Sequence, residues 1–378
     1  MYGLLKGVTH NMKISCSKLS LINGINIVSK AVSTKSTMTN LQCILIESSL
    51  SEIRLIANDI ELGIETIIEG TITEAGKIAL DAKLFSDIIR KLPDSEILIE
   101  TNASNQANIC CERSKFNVPG TSGEDFNYLP EIEKKKFISL SQFSLKEVIH
   151  QTIFSVSDQE SAKIMTGELF EVSGDRLKVV SLDGHRISIR KVQLKDSYDS
   201  FKVIVPGKTL SEISKIISGG VEDEIRLYMT EKHILFEFDQ TKVVSRLLEG
   251  EFYRIDHMLS DDYETKFEIN KKELLDCIDR ASLFIKESDK KPIIMNVENS
   301  NIYLKIKSSL GSMNEEIEIK KEGQDLKIGF NPRFLMDALR VIDDETVTIY
   351  MVNAKSPCFI RNDDNSYIYL ILPVSIAA

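Results

Sequence analysis

Residues 79–92 read ALDAKLFSDIIRKL, and the chain returns to that pattern twice, as IVPGKTLSEISKII at 204–217 and GFNPRFLMDALRVI at 329–342. The spacing is 125 residues both times (204 − 79 and 329 − 204), a domain length and not the short period of a solenoid. In each copy a base (Lys83, Lys208, Arg333) is followed four residues on by an acid (Asp87, Glu212, Asp337) and seven on by a second base (Arg90, Lys215, Arg340). Apolar residues fall between them at Phe85, Ile88 and Leu92, at Leu210, Ile213 and Ile217, and at Leu335, Ala338 and Ile342. Steps of three and four put these on one stripe of a helix and the charges on another face. Asp81, Pro206-Gly207 and Asn331-Pro332 supply the helix entries, and the strand-like runs SEILIET, DEIRLYM and ETVTIYM follow.

Other features keep the period. Each third opens with a short strand and another helix, in KISCSKLSLINGINIVSKAVS, FISLSQFSLKEVIHQTIFSVS and FEINKKELLDCIDRASLFIKE. The first two thirds end in GEDFNYLP and GEFYRIDHML, followed by the polar joints EIEKKK and SDDYE, which read as linkers. The expected organisation is α+β: an extension over 1–11, then domains at 12–130, 137–259 and 265–378, each with two helices and about eight strands.

Hydrophobic residues at 42% and charged residues at 28% describe a globular chain, and no apolar run reaches the roughly 20 residues of a membrane helix. With no signal-peptide pattern at the start, a cytoplasmic location is expected. The six cysteines form no CxxC pair or zinc-spaced cluster, so buried thiols are expected and no metal or cofactor. The net charge of −10 is unevenly placed: the six helical stretches carry +8 and the remainder −18. Such a chain has one surface that attracts a polyanion and others that repel it. Arg90, Lys91, Lys208, Lys215, Arg333 and Arg340 are the helix cations that nominate themselves for phosphate contact.

The segment SLDGHRISIR at 181–190 sets Asp183, His185 and Arg186 side by side and invites an enzymatic reading. One period earlier LIANDIELGIE places Asp59 opposite Asp183 (183 − 59 = 124) with Ile60 and Glu61 where Gly184 and His185 stand. An acid kept where the histidine is not reads as a turn or strand-end residue, and no GxSxG, Walker, HExxH or dinucleotide-binding pattern is present. No catalytic residue is expected.

These pieces, taken in order, resemble the bacterial DNA sliding clamps, the beta subunits of the DNA polymerase III holoenzyme. The resemblance runs from Met12 onward through AVSTKSTMTNLQCILIE, LIANDIELGIE, GEDFNYLP, IMTGELFE, SLDGHRISIR, FKVIVPGKTLSEISKII, LLEGEF, GFNPRFLMDAL and YIYLILPV. It implies the DNA clamp fold, with two chains joined head to tail into a closed ring, helices lining the hole and duplex DNA threaded through it without sequence readout. It implies partners as well: the DNA polymerase III catalytic subunit, the clamp loader, and other DNA polymerases, mismatch-repair proteins and DNA ligase, but no membrane. By position it puts Lys35 and Gln159 among the DNA contacts. It assigns a partner-peptide pocket to Met165, Leu182, Gly184, His185, Arg186, Ile187, His257, Met258, Leu370, Leu372, Pro373 and Val374, with Gly184 admitting a partner backbone and His185 and Arg186 fixing polar atoms. For Leu370 and Leu372, burial in the core of a terminal strand is the alternative. Phe116, Leu283 and Phe284 align with ring-joint positions, with ordinary core packing again the alternative.

The chain also departs from that family, with Tyr253 and Ser260 where prolines are usual, His257 where arginine is common, Ser375 in place of a basic residue, and Thr39 and Asn40 in a stretch that often holds a proline and an aliphatic residue. These bear on pocket shape and peptide preference. Residues 1–11 precede the usual start, as an extension or with Met12 as initiator. A three-domain scaffold that does not act on DNA is the competing reading.

Overall fold

The expected stripes close into helices. Six α-helices occur among the residues described by this computed structural model, which are 11–33, 36–285 and 291–376. They are α1 (Lys18–Val28), α2 (Ala82–Lys91), α3 (Gln142–Thr152), α4 (Gly207–Ile216), α5 (Lys271–Ser282) and α6 (Pro332–Arg340). All nine stripe residues of α2, α4 and α6 and their flanks are buried. Asp81 caps α2 by accepting from the Leu84 N–H at 2.7 Å, and Asn331 caps α6 from the Arg333 N–H at 3.0 Å, with Pro332 in the first turn. At the start of α4, a Cβ on Gly207 would stand 2.9 Å from Val156 Cγ1 and 3.1 Å from the Thr166 carbonyl, so close packing demands the glycine.

One joint recurs in all three thirds. The first residue of α1, α3 and α5 donates its backbone N–H to a carbonyl just before the strand that follows α2, α4 or α6: Lys18 to Ser95 at 3.3 Å, Gln142 to Asp223 at 2.7 Å, Lys271 to Glu345 at 2.8 Å. The side chains reinforce it. The Lys18 and Lys271 ammonium groups donate to the carbonyls of Leu92 and Ile342 at the ends of α2 and α6, where the helix dipole favours a cation. In the middle third the fully buried Gln142 accepts instead from the Ser218 N–H at 2.8 Å. Two lysines counted in the charge of the helical stretches are thus structural ties.

The chain divides into two compact units, one of residues up to Gln142 with Lys215–Leu247, the other Phe143–Ser214 with Leu248 onward. In the first, a five-stranded sheet runs in the order Thr71–Glu74, Lys13–Ser17, Glu96–Thr101, Gln106–Cys111, Ser114–Pro119. A nine-stranded sheet beside it begins with strands of the first third and continues, through Leu62–Ile68 against Thr241–Arg246, into four strands of the middle third. In the second unit, a seven-stranded sheet joins the long strands Gly167–Leu182 and Arg186–Pro206 to the last third by pairing Arg186–Arg190 with Tyr367–Ile371. A four-stranded sheet, Gly311–Glu318, Asn301–Ser308, Ile293–Glu298, Leu326–Phe330, completes it. Every strand pairing is antiparallel, and the described residues hold 25 strands, ten in the first third, six in the middle third, where two are long, and nine in the last, against the roughly eight expected of each. The middle third is divided between the units because pairing its strands with those of either neighbour saturates sheet edges that would otherwise expose unpaired backbone. Five of the six thiols are buried, Cys110 is half-buried, and all are free.

Candidate peptide groove and basic helix faces

The turn between Leu182 and Arg186 is built by its acid. Asp183 Oδ1 accepts from the N–H groups of His185 at 3.0 Å and Arg186 at 3.1 Å. Asp59 accepts in the same way from Glu61 at 3.1 Å and Leu62 at 2.7 Å. Both are turn residues, one of the two roles the repeat left open. The next residue takes a positive φ in each turn, 87° at Gly184 and 81° at Ile60, and no atom lies within 4 Å of where a Gly184 Cβ would stand. Backbone conformation accounts for that glycine without any neighbour.

Arg186 is tied into the chain on three sides. It is 7% exposed, and its Nε donates to Asp183 Oδ2 at 2.9 Å, its Nη1 to Asp337 Oδ2 at 2.7 Å and its Nη2 to the Phe154 carbonyl at 2.6 Å. Its guanidinium lies 4.5 Å from the Phe334 ring centroid and 5.3 Å from that of Phe154. All three of its nitrogens are engaged inside the chain, so Arg186 braces the wall. The reason lies in long-range pairing: the strand beginning at Arg186 meets the terminal strand, and the turn is carried against α6. His185 stays exposed, its ring stacked on Phe334 with centroids 5.9 Å apart, and its carbonyl accepts from the Leu372 N–H at 2.9 Å. Phe334, not singled out in the sequence, is the aromatic that joins His185 and Arg186; its signal was an aromatic inside the third helical repeat, outside the apolar stripe.

Behind this wall lies an apolar cluster. Leu182, Ile187 and Leu370 are buried in it with Val180, Ile255 and Phe359, and Met165, Met258 and Leu372 pack against it part-exposed. The two readings of the terminal strand therefore divide by residue, since Leu370 is core at 1% exposure and Leu372 is half-buried. Pro373 and Val374 are half-buried, the Val374 N–H reaching the Gly329 carbonyl at 2.8 Å. His257 is exposed in the short turn Asp256–Met258. Near Met165, Glu168 is fully buried; burial pushes its carboxyl up to about 8, against the opposing effect of the Thr152 hydroxyl, which donates to it at 2.9 Å.

The helix cations face the other way from the stripes. Arg90, Lys91, Lys208, Lys215, Arg333 and Arg340 are all exposed, as is Gln159, whereas Lys35 lies outside the described residues. Arg90 donates to Asn26 Oδ1 at 2.9 Å, and Arg333 and Arg340 sit 3.9 Å from Asp337 and 3.7 Å from Asp279, long ion pairs that leave their charge open to solvent. Among the described residues no group of three or more His, Cys, Asp or Glu could hold a metal, and no helix is long and apolar enough to cross a membrane.

Three family models match in chain order: the N-terminal domain of the DNA polymerase III beta subunit over 12–130, the central domain over 139–253 and the C-terminal domain over 257–375. The chain belongs to the DNA polymerase III beta subunit family. Among beta subunits of known structure, a putative one from Eubacterium rectale is 62% identical and superposes with a TM-score of 0.94, covering 96% of this chain and 99% of that one. The DNA polymerase sliding clamp of Bacillus subtilis is 31% identical, with a TM-score of 0.94 over 97% of this chain and all of that one. The beta sliding clamp of Staphylococcus epidermidis is 34% identical over 374 residues, 96% of this chain and 99% of that protein.

In this beta subunit, Ser114–Pro119 and Gly311–Glu318 are each the terminal strand of a sheet. Phe116 is 38% exposed on the first, and Leu283, after α5, is 75% exposed. Phe284 packs part-buried against the core of the last third. Of the three ring-joint candidates, core packing therefore describes only Phe284.

Proposed function

We propose that this chain is a ring-forming processivity clamp. Two copies close head to tail around duplex DNA and hold the DNA polymerase III catalytic subunit and other partners to it, with no catalytic step of their own. The observation that carries the reading is the segregation of each repeated helix into a buried apolar stripe and an exposed cationic face, in a chain with an acidic remainder. Sparse, exposed cations hold phosphates without reading bases, which is what sliding requires. The terminal strands Ser114–Pro119 and Gly311–Glu318, with Phe116 and Leu283 near the joint, support pairing of one protomer's first third with its partner's last. We place the domains at 12–130, 137–259 and 265–378.

Partners dock by a short peptide whose apolar side chains rest on Met165, Met258 and Leu372, against the wall that carries His185. The clamp loader, other polymerases, mismatch-repair proteins and DNA ligase are the classes that fit. The deciding experiment loads the protein onto nicked circular DNA and then linearises it. A clamp is retained on the circle and lost from the linear form; release governed by salt alone, indifferent to DNA ends, would overturn the reading in favour of a surface binder. For the groove, a polymerase-derived clamp-motif peptide should bind the Met165→Ala, Leu372→Ala double variant at least about tenfold more weakly than wild type, and equal affinity would remove the groove from these residues.

A further inference from the structure

Away from the groove, the second unit contains a cavity of about 380 Å³ between α3 and the strand Arg186–Pro206, lined among others by Phe143, Glu147, Gln151, Arg190, Asp343 and Asp364. Gln151 is 5% exposed; its amide nitrogen donates to Glu147 Oε2 at 3.3 Å, while its Oε1 has no hydrogen-bond partner among the described residues. Arg190 reaches the same cavity, with Nε and Nη1 buried and likewise without a partner. Gln151 Oε1 lacks a donor and Arg190 Nε and Nη1 lack an acceptor, so a group that both accepts and donates would match this side of the cavity.

The remaining lining shows what kind of group. Three carboxylates, Glu147, Asp343 and Asp364, stand against two cations, Arg190 and Lys191, and Asp343 and Asp364 are exposed. Hydrogen bonds from Ser366 hold the Asp364 carboxyl below its usual range, with a smaller contribution from the charge of Arg190, so it stays anionic. Phe143, 46% exposed, offers an aromatic face at the same cavity. A peptide unit supplies a carbonyl for Arg190 and an N–H for Gln151 Oε1. A basic side chain extending from that unit would lay its methylenes on Phe143 and its charge among the acids.

We propose that this cavity is a second docking site, for a lysine- or arginine-bearing peptide segment of a partner protein. The site shares no residue with the groove and does not depend on it. The test titrates the full chain with N-acetyl-lysine N-methylamide and with its norleucine and glutamate counterparts, read by ligand-observed NMR. The lysine probe should saturate at about 1–10 mM, about tenfold tighter than norleucine, a difference of about 1.4 kcal/mol, with no saturation by glutamate. Asp343→Asn, at an exposed position, and Gln151→Leu should each weaken it by at least about threefold while circular dichroism and melting show both variants folded. Equal binding of the three probes, saturation by none of them, or a lysine affinity unchanged in both variants would overturn the proposal and leave a cavity filled by solvent.

Discussion

Gly184 and Ile60 hold the same left-handed turn position, 124 residues apart (184 − 60), and show how one conformational demand is met by two residue types. With open space around the position at 184, Gly184→Ala should cost about 1 kcal/mol through backbone strain alone, seen as a lower melting temperature with unchanged affinity for a groove peptide. Glu168 makes a second prediction. Its carboxyl titrates near 8 in the folded chain against an ordinary 4.5, so between those values the unfolded chain releases a proton that the folded chain retains. Its contribution to stability is present below about 4.5 and is lost as pH rises towards 8. Glu168→Gln stays neutral, and urea unfolding should show the variant gaining on wild type by on the order of 2–4 kcal/mol at pH 8 and by less than about 1 kcal/mol at pH 5.

Among elements, the cations of the helical stretches fall into two groups that the sequence presents as one. Lys18 and Lys271 bind the carbonyl ends of α2 and α6, whereas Arg340 points its charge outward. Lys271→Met should lower stability by about 1 kcal/mol and leave the salt dependence of DNA binding unaltered. Arg340→Gln should leave the melting curve in place and reduce the slope of log K against log salt by about 1, measured by fluorescence anisotropy on duplex DNA. The difference was not legible because a lysine's charge is written in the sequence, while the carbonyl it reaches, 74 residues away for Lys18 and 71 for Lys271, is not. The helices α2 and α6 were legible down to their caps, Asp81 and Asn331, since apolar spacing and capping residues act within one or two turns.

For the whole molecule, a closed ring requires the exposed apolar positions near the two sheet edges to be covered by a partner copy. Phe116→Glu combined with Leu283→Glu should convert a dimer of about twice 42.7 kDa into monomers in sedimentation at micromolar concentration, with the circular dichroism of each protomer unchanged. A wild-type protein that sediments as a monomer under the same conditions would remove the ring altogether.

The sequence alone determined the triplicate frame, the six helices, the buried stripes of three of them, the asymmetry of charge, and the non-catalytic reading of Asp183 from its counterpart Asp59. All of these follow from short-range periodicity, local hydrogen bonding or simple counting. Only the tertiary structure decided that the sheets run on between thirds, through Leu62–Ile68 with Thr241–Arg246 and Arg186–Arg190 with Tyr367–Ile371. It alone decided that Leu370 is core while Leu372 is half-open, and that Arg186 is locked between Asp183 and Asp337. Strand pairing uses backbone groups that every residue carries, so the identity of an edge's partner is not written in the edge itself, and the contact of Arg186 with Asp337 joins residues 151 positions apart.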